Sequence, residues 1–227
     1  MSEEQGNQAV GELMALLVHD LRNPVATVSA NISFVREVMD ERDPDVREAF
    51  DDIEIALGDL MRGLEQVGFI ARWMEGGGAV EAGQGELGAS IQLALTRLNR
   101  SVPVHVPPGS VRVLGGGSAL ARLVELLLAN AFAHADPASV EVRGEARGSA
   151  VVLEVRDGGS AVAPELREHA FTLAGQNRLK GRADGRYGRV GGLLAARALA
   201  EAIGATLEAD GVDGQAVFRV WLHRAGA

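Results

Sequence analysis

His19-Asp20-Leu21-Arg22-Asn23-Pro24, HDLRNP, decides how the rest of the chain is read. An imidazole has a carboxylate beside it and a carboxamide four residues on. Leu13, Leu17 and Leu21 precede the proline and Val28, Ile32 and Val35 follow it, all at helical spacing. That spacing predicts an amphipathic helix displaying His19. Pro24 lacks a backbone donor, so a kink is expected there. A histidine so displayed is a nucleophile candidate. Phosphoryl transfer through histidine needs such a group: neutral, reachable by solvent and held in one orientation.

Working outward, the first helix is predicted from Gln8 to Met39. The turn formers of DERDPD, residues 40–45, break it. A second helix follows from Val46 to Met74. Its apolar residues, Ile53, Leu57, Leu60, Leu64, Val67, Ala71 and Met74, step by four and three, a heptad seam. Two such helices bury their seams poorly alone, so a second copy and a dimeric four-helix bundle are expected. The alternative is a monomeric hairpin packed on the rest of the chain. Residues 1–74 are thus read as one helical domain. EGGGAVEAGQGE, residues 75–86, has five glycines and no apolar period, and reads as a linker.

The remainder, residues 87–227, alternates helix and strand. Helices are predicted at 87–99, 118–135, 164–171 and 191–203, the third opened by Pro164. Strands are predicted at 102–106, 139–144, 150–157, 205–210 and 215–222. This order predicts an α+β sandwich with helices on one face of a mixed sheet.

Composition narrows the function. The 227 residues carry a formal net charge of −9, which gives a nucleic-acid role no electrostatic support. Two Trp, one Tyr and six Phe leave the cores to Leu, Val, Ile and Ala. The absence of cysteine removes disulfides, thiolate nucleophiles and Cys-zinc sites, and fits a reducing compartment. No segment reads as a secretory signal or a membrane span, so a soluble, cytoplasmic protein is expected. Few residues precede the helix carrying His19, and no sensor domain is expected on this chain. His105, His134, His169 and His223 are scattered without metal-ligand spacing.

With these elements in order, the chain resembles the core of a bacterial two-component histidine kinase over nearly its whole length. HDLRNP is similar to that family's phosphoacceptor box. The resemblance implies His19 as the phosphorylated residue, Asp20 as its acid/base neighbour and Asn23 as a residue that orients water for dephosphorylation of the partner. It implies a dimerisation and histidine-phosphotransfer hairpin followed by the ATP-binding fold shared with DNA gyrase. ATP and Mg²⁺ are the implied cofactors. The implied partners are a second copy and a response-regulator receiver domain, with a separate sensor protein as a further candidate. The chemistry agrees with this assignment. A phosphoryl group moves through a loose, in-line transition state, so positioning and charge stabilisation do most of the work. An imidazole must be neutral to attack, and a carboxylate on its other ring nitrogen can take the proton and fix the tautomer.

The nucleotide motifs depart from the family pattern. The asparagine box keeps Asn130, the implied Mg²⁺ ligand, but has Leu126 in place of the other Asn and Ala133 in place of the basic residue. Leucine offers Mg²⁺ no hard oxygen. The D-x-G-x-G motif keeps Asp157, implied to accept the adenine amino group, and Gly159. Ala161 replaces its second glycine. The last glycine motif keeps Gly188 and Gly192 and has Val190 in the middle. Arg178, Lys180, Arg182, Arg186 and Arg189 populate the loop between, a candidate lid for a triphosphate. Three readings are therefore carried forward: an autokinase with a divergent site, an ATP-independent histidine phosphotransferase with a vestigial ATP domain, and a non-catalytic dimeric module that docks response regulators.

Overall fold

The computed structural model describes residues 3–38, 44–72, 83–107, 111–161, 163, 164, 167, 170–172 and 192–226. The chain divides into two compact units, Met1–Gly77 and Gly78–Ala227.

The first unit is a pair of packed helices, α1 (Glu3–Val38) and α2 (Pro44–Arg72). Helix α1 begins five residues earlier than predicted and runs through Pro24. Pro24 supplies no N–H to the Asp20 carbonyl one turn back, a loss the flanking turns tolerate. Pro44, read as part of the break, is instead the first residue of α2, where its missing N–H costs no helical hydrogen bond. At this end of the hairpin Arg36 reaches Asp51 Oδ1 and Glu54 Oε2, each at 2.8 Å.

The predicted seam of α2 resolves into two stripes, each repeating every seven residues. Leu57, Leu64 and Ala71 turn toward α1, with Leu64 only 7% exposed. Ile53 and Leu60 turn outward, with Leu60 48% exposed. Helix α1 divides in the same way. Gly11 and Val18 are buried and Val25 and Ile32 half-buried, whereas Leu17, Leu21, Val28 and Val35 stand exposed. One seam closes the hairpin, and a second apolar surface stays uncovered.

The second unit is the expected sandwich. A five-stranded sheet has the order β2 (Val104–His105), β4 (Glu141–Arg147), β5 (Ala150–Ser160), β7 (Gln215–His223), β6 (Thr206–Val212). Only the β2–β4 pair is parallel. Helices α3 (Leu87–Leu98), α4 (Ser118–His134) and α5 (Gly192–Ala202) pack together, with α4 against β5 and α5 against β6. Helix α4 is the centre of the core. Its Leu and Ala content favours helix, and Leu120, Leu123, Leu127 and Leu128 are fully buried. Each such burial contributes roughly 1.5–3 kcal/mol. Asp136-Pro137 then ends the helix, because a residue before proline disfavours helical backbone. Inward-facing Val151, Leu153, Val155, Phe218, Val220 and Leu222 complete the core.

Several boundaries differ from the sequence reading. Gln84–Glu86, read as the end of the linker, form β1, which pairs antiparallel with β3 (Arg112–Leu114), a strand not predicted. Three residues among glycines carry too little apolar pattern to register as a strand. The strand predicted at 102–106 shrinks to two residues, flanked by Pro103 and Pro107. Ser139, read as the first residue of a strand, instead closes a 3-10 turn, Pro137–Ser139, built on Asp136. Of the helix predicted at 164–171, only Pro164, Arg167, Ala170 and Phe171 are described, in 3-10 and turn geometry.

The sheet face away from the helices carries charge in alternating sign. Arg143, Glu154, Arg219 and Glu208 stand in register across β4, β5, β7 and β6. Arg219 Nε donates to Glu154 Oε1 at 2.7 Å and Arg156 Nε to Glu154 Oε2 at 2.9 Å. Asp210 takes both Arg219 and Arg167. Burial pushes the Glu154 carboxyl up, but hydrogen bonds and charge from Arg219 and Arg156 outweigh it and hold it below the ordinary Glu value. A carboxyl depressed in the folded state stabilises the fold above its unfolded pKa, and that stability is lost as pH falls through its folded pKa. Glu154→Gln should therefore cost about 2 kcal/mol at pH 7. The gap from wild type should narrow as pH falls below about 4. Urea denaturation at both pH values checks this, and a gap that does not narrow would contradict it.

Candidate functional site

On the hairpin, His19 and Asp20 lie one turn before Pro24 on the solvent side of α1. Their side chains are 76% and 65% exposed. His19 Nδ1 is 3.2 Å from Asp20 Oδ1. An ionised carboxylate only accepts, so this contact places the proton on Nδ1 and leaves the lone pair on Nε2. Nε2 is thus the nucleophilic atom of the ring. Asn23, also exposed, follows one helical turn later on the same face. Its carbonyl accepts from Thr27 Oγ1 at 3.0 Å. The three residues predicted here therefore stand together on one accessible surface of α1.

In the second unit, the predicted residues come from α4, β5 and α5. Asp157 is wholly buried at 0% exposure, and its Oδ1 accepts the Gly159 N–H at 2.8 Å. The strand bulges here: Asp157 pairs with Ala216 and Ser160 with Gln215, so Gly158 and Gly159 face no residue of β7. The Gly158 N–H is taken by Ser139 Oγ at 3.0 Å. A Cβ on Gly158 would lie 2.7 Å from both Oγ and Cβ of Ser139, so only glycine fits. Ala161, the residue in place of the second motif glycine, donates its N–H to the Gly214 carbonyl at 3.1 Å. Gly211 makes room for the Ala161 methyl, since a Cβ there would come within 2.6 Å of it. Asn130 is half-buried on α4, and among the described residues its Nδ2 is a buried donor without a hydrogen-bond partner. Gly192 opens α5. Gly188, Val190 and the basic residues from Arg178 to Arg189 lie outside the described residues.

Residues 115–226 match the family model for histidine kinase-, DNA gyrase B- and HSP90-like ATPases. Over this segment the chain is similar to that ATPase family. Solved structures extend the likeness in fold. The mycobacterial sensor histidine kinase MprB has a TM-score of 0.51 at 22% identity, over 63% of this chain and 97% of the other. The Acinetobacter baumannii histidine kinase AdeS gives 0.54 at 15% identity, over 92% of this chain and 98% of the other. Full-length ShkA in complex with AMPPNP gives 0.62 at 20% identity, over 95% of this chain and 47% of the other. This chain spans about half the length of ShkA.

The ATPase domain fits its family's ligand unevenly. It keeps a buried carboxylate, Asp157, on a turn where a Cβ at Gly158 would crowd Ser139. The orphaned Asn130 Nδ2 is a donor that a bound acceptor would satisfy, and leaving such a group unpaired costs roughly 1–3 kcal/mol. The metal side does not fit. Leu126 is 5% exposed and packed in the core, and Ala133 is an exposed methyl. Asn130 Oδ1 is the single hard oxygen left among these three positions. Among the described residues no group of three His, Asp or Glu could hold a metal ion, and no described helix is long and apolar enough to cross a membrane.

Sequence reasoning missed Ser139 and Gly211. Ser139 lies 19 residues from the glycine it holds, and no spacing rule links them. The one local signal was Asp136-Pro137, a turn opener whose closing residue is Ser139. Gly158→Ala should displace Ser139 and cost about 1–3 kcal/mol of stability by overpacking. Thermal denaturation checks this, and an unchanged midpoint would contradict it.

Proposed function

We propose that this protein works in two-component signalling and passes a phosphoryl group through His19 to an aspartate of a response-regulator receiver domain. The observation that carries the reading is the exposed imidazole, with Asp20 on Nδ1 and Nε2 left to attack. In the transfer, Nε2 attacks phosphorus and the donor's P–O bond breaks as the N–P bond forms. Positive charge grows on the ring, and Asp20 stabilises it or accepts the Nδ1 proton. In the second step a receiver carboxylate attacks the same phosphorus and the N–P bond breaks. Asn23, one turn away, is placed to hold a water for hydrolysis of the receiver's acyl phosphate.

In the first version the protein is a histidine kinase core that phosphorylates its own His19 from Mg-ATP. This version is supported by the family of the ATPase domain. A second reading, an ATP-independent histidine phosphotransferase, is favoured by the buried Leu126 where a metal ligand would stand. Incubation of the purified chain with Mg-ATP should give acid-labile, base-stable phosphate if the first holds. Labelling only by a phosphorylated receiver domain selects the second. His19→Ala should lose at least about 100-fold of either label, as removal of a nucleophile does. No label from either donor would sink both.

The uncovered stripes of Leu17, Leu21, Val28 and Val35 on α1 and of Ile53 and Leu60 on α2 support a homodimeric four-helix bundle. Sedimentation at micromolar concentration should show a dimer. Leu60→Glu, which puts a charge on the stripe facing the second copy, should sediment as a monomer with its helical content kept. A monomeric wild type would contradict the bundle.

A further inference from the structure

The β5 bulge ejects two consecutive N–H groups from the sheet, and two side chains capture them. Gly159 N–H goes to Asp157 Oδ1, and Gly158 N–H goes to Ser139 Oγ. The direction of the second bond follows from the hydroxyl's single proton. Ser139 Oγ donates that proton to the Asp136 carbonyl at 2.6 Å, so toward Gly158 it acts as an acceptor. The turn that holds Ser139 is itself braced. Asp136 Oδ1 accepts from Ala138 N at 2.9 Å, and Asp136 O accepts from Ser139 N at 2.8 Å. A line of hydrogen bonds therefore runs from the turn after α4, through one hydroxyl, to the peptide directly after Asp157. Gly158 offers no side chain to hold that peptide, and β7 offers no partner.

We infer that Ser139 is a positioning residue for adenine recognition: by fixing the Gly158 peptide it holds the Asp157 carboxylate in one orientation. The inference rests on the reading that Asp157 accepts the adenine amino group. Adenine presents an N–H donor where guanine presents a carbonyl. A fixed carboxylate attracts the first and repels the second, and a loosened one discriminates less. The signature of Ser139 is therefore base selectivity, which a merely structural residue would not move.

The test is calorimetric titration of the full chain with ATP and with GTP, for wild type, Ser139→Ala and Ser139→Thr. Wild type should prefer ATP. Ser139→Ala should weaken ATP binding about fivefold, the worth of one hydrogen bond, with GTP binding unchanged. Ser139→Thr, which keeps the hydroxyl, should restore the preference. Amide exchange at Gly158 and Gly159 should quicken in Ser139→Ala. An ATP-to-GTP ratio that does not move in Ser139→Ala would overturn the role of Ser139 and leave the adenine reading standing. Failure of wild type to bind ATP would overturn both.

Discussion

Burial of helix α4 is the interaction on which the second unit depends. Four of its leucines are fully enclosed between α3, α5 and β5. That burial fixes the axis of the helix and, with it, the groups at its C-terminal end. Asn130 sits on the last turns, and Asp136-Pro137 stops the helix and opens the turn that delivers Ser139 to Gly158. The same packing takes in Leu126, which stabilises the fold and offers no oxygen donor. Among the described residues of the second unit no helix packs on the opposite face of the sheet, whose charges alternate strand by strand. Despite burial, Arg219 and Arg156 hold the Glu154 carboxyl below its ordinary value, and the Gly211 N–H, aided by Arg219 and Arg167, does the same for Asp210.

The hairpin obeys a different constraint. His19, Asp20 and Asn23 are polar and exposed, yet α1 is apolar on much of its surface. The conflict is resolved by angle. The inner stripe of Val18, Val25 and Ile32 packs toward α2, the outer stripe of Leu21, Val28 and Val35 is more exposed, and His19 projects from a third direction.

The sequence disclosed the parts that rest on period and composition. The two long helices, the apolar run of α4 and the strand alternation of β5 and β7 carry strong patterns, so the sandwich and the hairpin were legible. Weak patterns failed. The strand β1, three residues between glycines, looked like linker. The seam of α2 looked like one stripe, because alternating steps of four and three serve both an intramolecular and an outer contact until three-dimensional burial separates them. His19, Asp20 and Asn23 could be placed on one face because they are neighbours on one helix. Ser139 was not legible, since its role depends on a bulge that brings together residues 19 apart. Gly211 was hidden for the same reason: its need for a missing Cβ comes from Ala161 on another strand.

The account turns on the chemistry of one ring nitrogen. Asp20 occupies Nδ1 of His19, so the phosphoryl group should sit on Nε2. Phosphorus NMR of the full chain, with ¹⁵N-labelled histidine, resolves which nitrogen is bonded to phosphorus after labelling by ATP or by a phosphorylated receiver domain. The account predicts coupling to Nε2, abolished in His19→Ala. Phosphate on Nδ1, or on a histidine that persists in His19→Ala, would contradict it.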